Sequence, residues 1–213
     1  MTQIISIENL TKKFGDVTVL ENINLSFERG KIYGFVGRNG SGKTVLFKLI
    51  IGYLKPTRGR VVVCGKEIGK DRDFADNIGI IIENPGFLNG YTGFKNLEYL
   101  ASIRNVIGGE EIRVSMEKVG LNPCSSKKVG KYSLGMKQRL GIAQAIMENP
   151  GILILDEPMN GLDNQGVEDV REILIQLKDE GKTIILASHN KEDIEILCDE
   201  VYEMDQGRLV GHR

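Results

Sequence analysis

Eight consecutive residues, Gly37-Arg38-Asn39-Gly40-Ser41-Gly42-Lys43-Thr44, fit the pattern GxxxxGK[ST] in full. The apolar run Ile32–Val36 precedes them, and a helical pattern from about Lys43 to Gly52, beginning Lys43-Thr44-Val45, follows. This context limits the possible folds more than any other feature, because it demands a buried strand, a tight loop and a helix N-terminus in succession. Glycines let such a loop curl until successive N–H groups face one point, and the helix start adds its dipole. The segment is therefore built to hold phosphate. Lys43 offers a point charge for the β- and γ-phosphates of a nucleotide, and the Thr44 hydroxyl offers a ligand for Mg²⁺. A glycine-rich turn that binds nothing is the plain alternative, and the strand–loop–helix context argues against it.

Elsewhere short apolar runs alternate with helical patterns, which predicts an α/β fold with a mainly parallel sheet. Ile4–Leu10, Val17–Phe27, Arg60–Cys64, Ile78–Ile82, Ile152–Leu155 and Thr183–Ala187 read as strands. Val167, Val170, Leu174 and Leu177 mark one face of a helix, with Gly181 as its stop. Val201–Met204 and Arg208–Val210 read as a closing hairpin around Gln206-Gly207. The section from about Phe94 to Asn149 is helical, and residues 84–149 read as an insertion into one domain spanning 1–213. A chain of 213 residues, 41% of them hydrophobic, can bury the core such a domain needs.

The net charge of −1 gives no electrostatic reason to expect a nucleic acid partner. Cys64, Cys124 and Cys198 form no CxxC and read as buried or half-buried free thiols of a reducing compartment. Met1-Thr2-Gln3-Ile4-Ile5 runs into a strand with no signal-peptide pattern. The apolar runs fall short of the ~18–20 residues of a membrane span, so work at a membrane would require another chain.

The strand Ile152–Leu155 ends in two carboxylates, Asp156 and Glu157. Asp156 is placed to hold magnesium through water, and Glu157 to orient or deprotonate an attacking water, a role that contributes ~10²–10⁴-fold in rate. Downstream of a phosphate loop this pair is more than a solvated acidic turn.

Tyr132-Ser133-Leu134-Gly135-Met136-Lys137-Gln138-Arg139, just before that strand, resembles the signature motif of ABC ATPases. Asp156-Glu157-Pro158 through Gly161-Leu162-Asp163 is similar to the same family's strand end and D-loop. Ala187-Ser188-His189 resembles its switch histidine, and Phe14 matches its adenine-stacking aromatic. The resemblance covers essentially the whole chain. It implies an α/β P-loop NTPase core with an antiparallel β subdomain and an inserted helical subdomain. It also implies ATP hydrolysis with Mg²⁺, bound by Thr44, Asp156 and Glu83. Lys43, Glu83, Glu157 and His189 would be catalytic. Phe14, Gly37 through Val45, Ser133 and Gly135 would contact nucleotide. Ser133 is a good N-cap for a helix burying Met136, Leu140, Ala143 and Met147. In the family that helix start closes on the γ-phosphate held by a second ATPase subunit, so the partners are that subunit, identical or related, and a membrane permease. The location implied is the inner face of the cell membrane.

Two positions depart from the family pattern. The signature reads Tyr-Ser-Leu-Gly-Met where the family has LSGGQ, and Glu83 stands where it has glutamine. The added negative charge at Glu83 predicts slow or more Mg²⁺-dependent hydrolysis. Both departures, in Ile-Glu-Asn-Pro-Gly-Phe (82–87) and Ser-Leu-Gly-Met-Lys-Gln-Arg (133–139), resemble the bacterial branch of bacitracin and lantibiotic peptide exporters or immunity transporters. Phe87 and Tyr91 match the family's permease-docking region and are expected to be partly exposed, with Phe94 and Tyr99 in the core of the helical section. Two rivals differ in class. Asn190-Lys191-Glu192-Asp193 fits NKxD, a guanine-reading motif, but Asp156-Glu157-Pro158-Met159 is not the DxxG of a GTPase. A non-transport ABC ATPase of translation or DNA repair would usually carry two cassettes or a long coiled coil.

Overall fold

A computed structural model describes residues 2–83 and 86–213. Met1 lies outside them, as do Asn84 and Pro85 of the 82–87 hexapeptide. A four-stranded antiparallel sheet has the order β2-β1-β4-β5, with β1 Gln3–Phe14, β2 Val17–Glu28, β4 Arg58–Val63 and β5 Lys66–Glu67. A six-stranded sheet has the order β10-β9-β3-β8-β7-β6. Its strands are β3 Ile32–Val36, β6 Ile78–Ile81, β7 Ile152–Asp156, β8 Thr183–Ala187, β9 Glu200–Asp205 and β10 Arg208–His212. All neighbours in it pair in parallel except β9 and β10, the closing hairpin.

The central strands β3, β7 and β8 are buried on both faces, and they read as continuous apolar runs for that reason. Side chains alternate between two apolar layers. Tyr33, Phe35, Ile152, Ile154 and Ile185 join Phe27 and Phe47 on the side of the antiparallel sheet and helix α1, Lys43–Ile51. Ile32, Leu153, Leu155, Ile184 and Leu186 join the opposite layer. That second layer is built by α4, Leu134–Ile146, and α5, Asn164–Asp179, through Leu140, Ala143, Val170 and Leu174. Each such fully buried side chain contributes about 1.5–3 kcal/mol.

The predicted helical section holds α2, Gly93–Arg104, α3, Gly109–Lys118, a 3₁₀ turn at Val129–Lys131, and α4. Helix α5 starts at Asp163, whose carboxylate accepts from the Gly166 N–H, and Gly181 turns the chain after its end with φ +82°. A short helix, α6, Lys191–Leu197, follows β8 and was not expected from the sequence.

Two expectations are corrected. Tyr99 is not in the core: α2 buries Asn96, Leu97 and Ala101, which turns position 99 outward, where its ring meets Tyr91 edge to face at 5.3 Å. Phe94 and Phe87 do pack, half-buried, on the core. Cys64 and Cys124 are exposed, whereas Cys198 is half-buried and burial pushes its thiol up to about 12. Among the described residues no helix is long and apolar enough to cross a membrane.

Candidate functional site

The parallel register aligns the carboxyl ends of β3, β6, β7 and β8, and each leads into one of the expected site segments. An open cavity of about 450 Å³ lies there, lined by Asn39 through Val45, Glu83, Asp156, Glu157 and His189. Ligands of parallel α/β sheets bind in this crevice.

The phosphate loop keeps its shape through close packing. Gly37 has φ +151°, and a Cβ on it would lie 2.2 Å from the Met204 carbonyl oxygen. Gly42 has φ +106°, and a Cβ on it would lie 2.6 Å from the Leu20 side chain. The loop is also tied to the closing hairpin, since the Gly207 N–H donates to the Ser41 carbonyl at 3.0 Å. Gly207 in turn accepts from the Glu21 N–H of β2 at 2.9 Å.

Gly42 occupies the N-cap of α1 and has no side chain to accept from the first-turn amides. By contrast Thr92, Ser133, Asp163 and Asn190 each cap their own helix by accepting such a bond. An uncapped helix start leaves backbone donors for an anion. The Lys43 ammonium is folded onto the loop, donating to the Gly37 and Arg38 carbonyls at 2.7 and 3.2 Å. Burial lowers its affinity for a proton, against the pull of Glu157 and Asp156. Thr44 Oγ1 donates to Asp156 Oδ2 at 2.6 Å. A hydroxyl and one carboxylate in contact suit Mg²⁺, which takes few protein ligands and completes its shell with water and phosphate.

Glu157 follows β7 in a left-handed conformation, φ +52°, which turns its carboxylate toward the cavity's histidine. The His189 N–H donates to Glu157 Oε2 at 3.3 Å, and His189 Nε2 stands 3.1 Å from Oε1. That contact lacks hydrogen-bond alignment, so among the described residues Oε1 is buried without a hydrogen-bond partner. Burial raises the Glu157 pKa, with His189 opposing it. A carboxylate with a spare acceptor and raised basicity is equipped to take a proton from water. A raised folded pKa means that Glu157 favours folding when protonated, and this contribution is lost as pH climbs from the ordinary carboxylate range through the raised value. The nucleotide-free Glu157→Gln variant is therefore expected to melt above the parent at neutral pH. The gap should close as pH falls below the carboxylate range, as thermal melts across pH would show.

Glu83 reaches the cavity wall from the end of β6, and its carboxylate pairs with Lys48 of α1 at 2.6 Å. The charge feared there is thus partly offset, which the sequence did not reveal. Val19, Gln138 and Asn160 complete the wall. The Gln138 amide donates to the Glu157 and Pro158 carbonyls at 3.2 and 2.9 Å, so the signature helix braces the turn that aims Glu157. Gln138 lay within the quoted motif, but its direction needed the packing of α4. Phe14, Gly37, Arg38, Ser133 and Gly135 are not on the wall. Phe14 is exposed at the end of β1 with the Lys12 ammonium 4.8 Å from its ring centroid. Ser133 caps α4, and Gly135 sits close to the Gly161 carbonyl of the D-loop segment. Asp193, the last residue of the NKxD match, is buried and so cannot read a guanine.

The ABC transporter family profile matches residues 20–160, from β2 through the phosphate loop, the signature helix and the paired carboxylates. The chain belongs to the ABC transporter family. It is 50% identical over 206 residues to the uncharacterized ABC transporter ATP-binding protein YybJ of Bacillus subtilis (strain 168), covering 97% of this chain and 94% of that one. It is 44% identical over 212 residues to the bacitracin transport ATP-binding protein BcrA of Enterococcus faecalis, covering 99% and 69%. A solved ATP-binding subunit of an ABC transporter superposes with a TM-score of 0.88 at 26% identity, covering 99% and 89%. This ABC protein is an ATP-binding, ATP-hydrolysing transporter subunit of the bacitracin-type branch.

Proposed function

We propose that the chain, as one domain spanning 1–213 with its helical insertion at about 84–149, powers a separate membrane permease for antimicrobial peptides by ATP-driven dimerisation. The observation that carries the catalytic part is Glu157: a buried carboxylate oxygen without a partner, beside His189 and facing the phosphate loop. Glu157 takes the proton as a water oxygen bonds to the γ-phosphorus and the bond to the β–γ bridging oxygen breaks, leaving ADP and phosphate. His189 senses the γ-phosphate and holds Glu157 in place. Lys43 leaves the loop carbonyls for the β- and γ-phosphates, and the amides of residues 37–45 cradle them. Phe14 stacks on adenine. Thr44, Asp156 and Glu83 hold Mg²⁺, which when bound neutralises phosphate charge. Ser133 and Gly135, absent from this chain's own cavity, complete the site of a second ATPase subunit, so two sites form in one two-fold dimer.

The peptide substrate rests on the likeness to the bacitracin transport protein. The inner-face location rests on the need for a permease, since among the described residues no helix can cross a membrane. In a strain deleted for this chain, the parent is expected to restore growth in bacitracin-type or lantibiotic peptides, and Glu157→Gln is not. Equal susceptibility of the deleted and parent strains across such peptides would sink the substrate reading. For the permease, the exposed Tyr91–Tyr99 pair and half-buried Phe87 beyond Glu83 form the docking face. Tyr91→Ala should reduce co-purification with the permease several-fold while ATP affinity stays at the parent value. Loss of both would mean that Tyr91 serves packing instead.

A further inference from the structure

The residues flanking His189 are held by a buried ionic network that the reaction itself does not use. Arg171 of α5 and Asp193 of α6 are 3% and 1% exposed. Arg171 Nε and Nη2 donate to Asp193 Oδ1 at 3.0 and 2.6 Å. Its remaining reach goes to Glu168 at 2.7 Å and Glu192 at 3.1 Å, both carboxylates at the surface. The other Asp193 oxygen, Oδ2, accepts from the hydroxyl of Ser188, itself buried, at 3.0 Å. Ser188 Oγ also accepts from the Asn190 N–H at 3.1 Å. The Ser188 hydroxyl, on the residue before His189, thus bonds across it, to the residue after it and to the helix beyond.

We propose that Arg171, Asp193 and Ser188 form a clamp that positions His189 against Glu157 for hydrolysis. Helix α6 is only two turns long and holds few backbone bonds of its own, so Asp193 needs an anchor outside it. Arg171 is that anchor: two of its N–H groups converge on Asp193 Oδ1 and fix that oxygen in place, leaving Oδ2 to Ser188. Asp193 then orients the Ser188 hydroxyl, and Ser188 sets the backbone that carries His189. The two His189 contacts to Glu157, at 3.3 and 3.1 Å, both arise from that short backbone stretch. Helix α5 reaches the opposite way as well. Arg139 of the signature helix donates to its Asp169 at 2.8 Å and to the Val119 carbonyl at 2.9 Å. The clamp therefore grips the switch segment from a helix that is also pinned to the signature helix. Arg171, Asp193 and Ser188 are positioning residues and touch no substrate. The inference rests on the proposed roles of Glu157 and His189.

The test uses the full chain and three variants: Ser188→Ala, Arg171→Lys and His189→Ala. Removing one partner of the buried pair can prevent folding, so Ser188→Ala, which leaves that pair intact, is decisive. It is expected to lower kcat for Mg-ATP about ten- to a hundred-fold with KM within two-fold, since small misplacement of a catalytic group costs that much. Arg171→Lys, which keeps the charge and loses the fork, should fall in the same direction. A second readout is the nuclear magnetic resonance signal of the His189 ring at fixed pH without nucleotide. The chain has only two histidines, so a His212→Asn background leaves one ring to observe. Ser188→Ala should shift and broaden that signal. A merely structural serine would change the melting temperature and leave the ring signal and kcat in place, and that result overturns the clamp. A His189→Ala variant with parental kcat would instead overturn the catalytic reading, and the clamp's role with it. Loss of activity in His189→Ala beside a parental Ser188→Ala would overturn the clamp alone.

Discussion

A Glu157→Gln variant is expected to sediment and scatter light as a dimer in Mg-ATP and as a monomer in Mg-ADP. The substitution keeps the size of the side chain and removes both its charge and its capacity to take a proton. Hydrolysis should fall by ~10²–10⁴-fold, the usual contribution of a general base. With hydrolysis blocked, nothing dissolves the ATP that the proposed dimer holds between the Lys43 loop of one subunit and the Ser133–Gly135 helix start of the other. Removing a negative charge from beside the γ-phosphate strengthens closure further, because Asp156, Glu157 and Glu83 all face the same cavity. A monomer in both nucleotides, with ATP shown to bind, would make dimer closure depend on the permease or a second subunit.

The second large effect concerns Lys43. Its ammonium is buried and donates to two loop carbonyls and the Ser41 hydroxyl, and burial depresses its proton affinity. In the nucleotide-free protein Lys43→Ala therefore removes a strained charge, and the melting temperature should stay level or rise. Nucleotide binding should collapse. Losing one partner of a desolvated charge pair costs about 2–5 kcal/mol, so ATP affinity should drop roughly thirty- to several-thousand-fold. Calorimetric titration of ATP and thermal melts of the same samples separate the two effects. An unchanged affinity would move the phosphates away from this loop.

Much of the site was readable because it is local. Strand, glycine loop and Lys43-Thr44 follow one another in the chain, and β7 delivers Asp156 and Glu157 at its end. Their chemistry needs only neighbours in sequence. What was not readable depends on how distant elements meet. Gln138 became a brace for Glu157 only through the direction in which α4 packs. Lys48 and Glu83 are separated by a whole sheet excursion yet touch. Tyr99 sits on a helix whose buried stripe is partly polar, through Asn96, so the pattern concealed which side faces water. Helix α6 is too short to show periodicity, and its Asp193 looked like part of a nucleotide-reading motif until its burial against Arg171 was seen.

The hydrogen bonds of Gly207 have a mechanical consequence. One backbone unit in the closing hairpin gives its N–H to Ser41 of the phosphate loop and its carbonyl to Glu21 of the antiparallel sheet. It joins three segments: the closing hairpin, the phosphate loop and β2 of the antiparallel sheet. The antiparallel layer, which carries Phe14, is linked to Ser41 by two backbone hydrogen bonds in series. Tilt of one layer is thereby geared to the curvature of the phosphate cradle. On the proposed stacking of adenine on Phe14, the adenine and phosphate ends of the nucleotide would be coupled through the Gly207 turn.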